Sequence, residues 1–113
     1  MKELCAHESV LWPSFISHKG HIIRAGSDAL DLCEKRIRDG VEKEHVEKLV
    51  NHIHIWDVFY LHDDTPEEVH WRIGELMVFS WEKALAVQLP DRNVQVELFE
   101  SYGPTITAYE VGE

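Results

Sequence analysis

Residues 65–99 read TPEEVHWRIGELMVFSWEKALAVQLPDRNVQVELF, and the hydrophobic period changes within them. From Val69 to Leu89 the apolar residues recur at helical spacing, whereas from Val94 they alternate with Gln95 and Glu97, as on a half-buried strand. A chain that changes period in this way combines helix and sheet, so the expected class is α+β.

Thr65-Pro66-Glu67-Glu68 places an N-cap, a proline at the first helical position and a glutamate at the third, the pattern of a capping box. Pro90 cannot continue a helix, so the element is predicted over about 66–89. At 100° per residue, Glu68, Arg72, Glu75, Glu82 and Lys83 form one narrow charged stripe, and the remaining arc of roughly 220° is apolar. A helix covered only by its own core needs little more than ~100°. The excess has three readings: a central helix enclosed on all sides, a seam against a second subunit, or the wall of a ligand cavity.

Downstream, Val94, Val96 and Leu98 mark a strand over about 93–101, Tyr102-Gly103-Pro104 turns the chain, and the β-formers after it predict a second strand over about 104–111. A lone hairpin is marginal in water and needs a helix or a third strand. Leu4 to Leu11 is the N-terminal candidate for that strand; a partner chain is the other.

Upstream, Ile23, Gly26, Leu30, Cys33 and Ile37 share one helical face, which predicts a helix over about 22–39, ended by Gly40, with Ser27 as the alternative cap of a later start. Val46, Leu49, Val50, Ile53, Trp56 and Tyr60 predict another over about 42–60. A strand from His52 to Leu61 competes with the end of that helix, because Ile53, Ile55 and the aromatic run also suit extended backbone. The length of the stripe favours the helix. The expected architecture is therefore a three-helix layer closed by a C-terminal antiparallel hairpin, in one domain spanning 1–113.

Composition narrows the partners. The chain has 113 residues, 44% of them hydrophobic, with four Trp, four Phe and three Tyr, enough for one core. Its formal charge of −10 repels phosphate backbones and anionic membranes, so neither nucleic acid nor membrane is expected as a partner. The two cysteines, Cys5 and Cys33, make neither a disulfide framework nor a zinc motif. No apolar run approaches membrane-spanning length and the N-terminus has no apolar core of a leader, which places the protein in the cytoplasm by elimination.

Eight histidines are present, five of them between His45 and His70. On a strand, His52 and His54 would project from one face; on a helix their rings point about 160° apart and cannot share a metal. With 42–60 read as helix, no metal or cofactor is expected, and His52 and His54 are the weak candidates. The run His52-Ile53-His54-Ile55-Trp56 resembles the signature of the histidine-triad nucleotide hydrolases, in which His54 would be the nucleophile. The third histidine is replaced by Trp56 and the glycine-rich surroundings are missing, which removes that activity.

The remaining chemistry follows from the helix pair. Asp57 falls in the apolar stripe of the second helix and His70 in that of the third, and a short connection would set them opposite each other. Such a pair is either a register-fixing polar bridge or an oriented general base, so Asp57 and His70 are the catalytic candidates. Trp56, Trp71, Met77 and Trp81 are the candidate ligand walls, suited to a small cationic or amphipathic molecule. The function expected first is a binding or interaction module acting as a homodimer or higher homo-oligomer. A small enzyme or metal-dependent site around the Asp–His pair is the alternative.

Overall fold

The computed structural model describes residues 11–25, 27–59 and 64–111. Its class is α+β, with the expected C-terminal hairpin. In chain order the described elements are β1 (Phe15–His18), β2 (His21–Arg24), α1 (Ser27–Arg38), α2 (Lys43–Asn51), β3 (Ile53–His54), α3 (Ile55–Phe59), α4 (Glu67–Gln88), β4 (Val94–Glu100) and β5 (Pro104–Glu110). β1 and β2 pair as an antiparallel hairpin around Lys19–Gly20, and a second antiparallel sheet has the order β3-β5-β4.

Three expectations need correction. The first helix begins at Ser27, because His21–Arg24 is a strand paired with Phe15–His18. The β-branched pair Ile22 and Ile23 is buried on both faces of β2, which a helix end could not achieve. The helix expected through residue 60 ends at Asn51, and His52 is extended at φ −72° and ψ 147°. Ile53 and His54 then pair with Ile106 and Thr105, so the third strand comes from the middle of the chain. Finally, Pro66, with no side-chain cap, stands where Thr65 was expected at the start of α4. The expected strand from Leu4 lies, apart from Leu11, outside the described residues.

Two apolar clusters result. The larger sets Met77, Trp81 and Leu85 of α4 against Ile53, Val96, Ile106 and Ala108, with Phe15 and Ile22 closing one end. Phe15 meets Trp81 edge to face at a ring separation of 5.6 Å. Gly74 lets α4 lie directly on the sheet, since a Cβ there would sit 2.6 Å from Leu98 Cδ1. The smaller cluster joins Ile23 to Cys33 of α1 and Val46 and Val50 of α2.

The two sheets do not pair with each other. Two side chains of α2, one turn apart, stand between them. The Glu47 carboxylate accepts from Ile22 N at 2.8 Å and from Glu110 N at 2.7 Å. Asn51 accepts from Arg24 N at 2.7 Å and donates to Ile22 O at 2.9 Å and Ala108 O at 2.8 Å. Both side chains are fully buried. They supply to the facing edges of β2 and β5 the bonds that a neighbouring strand would otherwise supply. Lys43 Nζ lies 2.9 Å from Glu47 and 2.6 Å from Glu110, and Arg92 grips Glu110 through Nε and an Nη at 2.5 and 2.8 Å.

Two outcomes follow. Asn51→Leu leaves Arg24 N and two carbonyls without partners in the interior and is expected to cost about 3 kcal/mol. Urea unfolding measures this, and a loss under about 1 kcal/mol would show that the two edges do not depend on it. The Arg92 and Lys43 contacts hold the Glu110 carboxyl at about 2, below its ordinary 4.5. A lowered folded value stabilises the fold above the unfolded value, and that contribution disappears as pH falls from about 4.5 towards 2. Arg92→Ala should flatten the acid limb of a stability–pH curve over that window.

Candidate functional site

The break after α2 sets an unusual row of side chains on the surface. Ile53 and Ile55 are buried, while His52 and His54 are half-buried and Trp56, in the first turn of α3, is exposed, and their three rings stand side by side. The His52 and His54 rings are 5.2 Å apart at 81°, and His54 stacks on Trp56 at 5.6 Å and 19°. Each ring is anchored. His52 Nδ1 lies 2.6 Å from Leu49 O, and His54 Nδ1 lies 2.8 Å from Thr105 Oγ1. Trp56 Nε1 donates to Tyr102 O at 2.9 Å, reaching back to the β4–β5 turn. Gly103, at φ +104°, leaves space for the indole, since a Cβ there would lie 3.2 Å from Trp56 Cδ1.

Beside this row, His45, Lys48, Leu49, His52, Phe99 and Ser101 line a groove of about 350 Å³. Lys48 Nζ already lies 3.2 Å from Glu44 and 4.5 Å from the centre of the Tyr109 ring. Burial and the neighbouring Glu97 push the Tyr109 hydroxyl above its ordinary value, so it remains neutral at the physiological pH range.

The sequence candidates are distributed differently. Met77 and Trp81 are fully buried in the main core. Trp56 belongs to the imidazole row, and Trp71, half-buried on α4, donates to Glu67 at 3.3 Å. The groove is lined by none of these four. Asp57 is exposed on α3, and no hydrogen bond or ion pair joins it to His70. His70 Nε2 is buried and has no hydrogen-bond partner among the described residues. Asp57 remains helical, on α3, but the helix that carries it begins at Ile55 and does not continue from α2, and residues 60–63 of the connection that was to set the pair opposite each other lie outside the described residues. Among the described residues, no group of three or more His, Cys, Asp or Glu side chains gathers to hold a metal.

A second surface lies on α4. Val69, Leu76, Phe79 and Val87 are exposed there. At 100° per residue Val69, Leu76 and Val87 fall within about 20° of each other, and Phe79 lies about 60° beyond Leu76. Lys83 Nζ sits 5.3 Å from the centre of the Phe79 ring. Leu11 and Trp12 are exposed nearby, where Ser80 Oγ donates to the Leu11 carbonyl. No helix is long and apolar enough to cross a membrane among the described residues.

No family model, curated protein or solved structure matches the chain.

The turn gives a direct check on the row. Gly103→Ala is expected to lose about 1–2 kcal/mol from its positive φ and also to move the Trp56 indole N–H resonance. Gly20→Ala carries a similar strain at φ +83° but touches nothing within 4 Å, so it should leave that resonance in place.

Proposed function

We propose that the protein is a non-enzymatic interaction module that works as a homo-oligomer, joined along the outer face of α4. The observation that carries this reading is the exposure of Leu76 at 70%, Phe79 at 61% and Val87 at 70% on one helix whose opposite side is core. Single exposed apolar residues are ordinary on a protein surface, but an aligned row of them is the pattern of a contact face. Arg72 and Lys83 lie inside the row, and Glu75 and Glu82 run along its border. A second copy of the same face therefore offers carboxylates to those cations as well as apolar side chains, as a two-fold contact requires.

The groove beside Phe99 favours a second reading, a small amphipathic ligand resting on Leu49 and Phe99. Its polar rim of His45, Lys48 and His52 contains no carboxylate, which argues for an anionic head rather than a cationic one. The alternative of an enzyme around Asp57 and His70 has no contact between the two residues to support it.

Sedimentation equilibrium at micromolar concentration tests the assembly. The expected mass is a multiple of the 13.2 kDa chain. Leu76→Glu with Phe79→Glu should reduce it to one chain while the far-ultraviolet circular dichroism stays that of the wild type, because neither side chain supports the core. A wild-type protein that stays at 13.2 kDa would remove the seam.

A further inference from the structure

We propose that His52 and His54 form a two-imidazole binding site for a borderline divalent ion of the zinc, nickel or copper class, with solvent completing its coordination. The proposal rests on the hydrogen bonds at the other nitrogen of each ring. His52 Nδ1 faces Leu49 O, and a carbonyl can only accept, so Nδ1 carries the proton. For His54 the partner is Thr105 Oγ1, whose single hydroxyl proton is directed to carbonyls, Ser101 O at 3.0 Å and Gly103 O at 3.1 Å. Thr105 therefore accepts from His54, and His54 Nδ1 also carries the proton. With Nδ1–H bound to an oxygen, Nε2 is the nitrogen of each ring that can ligate.

The spacing of the rings agrees with this role. A metal held at about 2.0–2.1 Å by two imidazoles in a tetrahedral arrangement leaves their ring centres on the order of 5 Å apart. The observed separation is 5.2 Å. Imidazole nitrogen suits zinc, nickel and copper in preference to magnesium or calcium, which take oxygen ligands. The extended backbone at His52–His54 creates the geometry, because the same two residues on a helix would diverge. The stack on Trp56 and the Thr105 bond keep His54 from turning away, so little ordering is left for binding to supply.

Isothermal titration of the full chain with zinc chloride, and separately with nickel chloride, tests the site. One ion per chain is expected. His52→Ala and His54→Phe should each weaken binding at least tenfold; the phenyl ring keeps the volume and the stack on Trp56, so the fold is preserved. His21→Ala, which removes a ring similarly set against a carbonyl, Lys19 O at 3.1 Å, should change nothing. Nitrogen-15 spectra of the metal-free protein should place the proton on Nδ1 in both rings, and zinc should shift Nε2 of both. Affinity unchanged in His54→Phe, or an Nε2–H tautomer at either ring, would overturn the site.

Discussion

Everything else in the fold depends on two strand edges that never meet. β2 and β5 are neighbours, yet their facing main-chain groups bond to Glu47 and Asn51 of α2 and not to one another. Unsatisfied interior peptide groups cost as much as lost hydrogen bonds, so a fold built from two small sheets needs some such insert. A carboxylate presents two acceptors and an amide presents both an acceptor and donors, which matches the alternating groups of an extended edge. One helical turn separates the two side chains, and so one helix can serve both. The position of α2 is thereby fixed against the hairpin at the start of the chain and the hairpin at its end.

The same constraint explains the break at His52. Asn51 is the last residue of α2, and the chain must leave there in the direction of β5, whose edge still has Ile106 to satisfy. Extended backbone at Ile53–His54 does this, and it also provides the third strand that the C-terminal hairpin lacked. The sequence carried both signals. Ile53, Trp56 and Tyr60 extend the helical stripe of Val46 and Val50, but His52-Ile53-His54-Ile55-Trp56 also alternates polar and apolar positions. Pairing with β5 decided between them, and nothing local records that pairing.

What was legible follows the range of the forces involved. The helix over 67–88 and the strands over 94–100 and 104–110 are set by period, proline and turn residues, all local, and the sequence places them within two residues. The β1–β2 hairpin was missed because its strands are four residues long and Ile23 also fits a helical face. Glu47 and Asn51 are polar and stand outside the apolar stripe that defines the second helix, so its period says nothing of their burial; each follows a stripe residue, Val46 and Val50, at a spacing of four. The aromatic wall expected from Trp56, Trp71, Met77 and Trp81 assumed that one continuous pair of helices carried all four. Trp81 and Met77 are core because α4 packs them on the sheet, and the break in the second helix places Trp56 in the imidazole row. The wide apolar arc of α4 was legible as an excess; the sheet covers part of it and leaves Leu76 and Val87 outside at its edge, while exposed Phe79 stands within the charged stripe itself.

A buried carboxylate is costly unless it is paired, and Glu47 meets that cost with two peptide N–H donors and the Lys43 ammonium. Lys43 then continues to Glu110, and Arg92 continues from Glu110 to Gly20 O and Ser17 Oγ at the β1–β2 hairpin. The network therefore ties together α2, both hairpins and the start of β4. Its consequence for the surface is rigidity. The imidazole row begins at the residue after Asn51 and is pinned again at Thr105 and Tyr102 on the β5 side. A side-chain row held at both ends by buried structure keeps its spacing without help from a ligand.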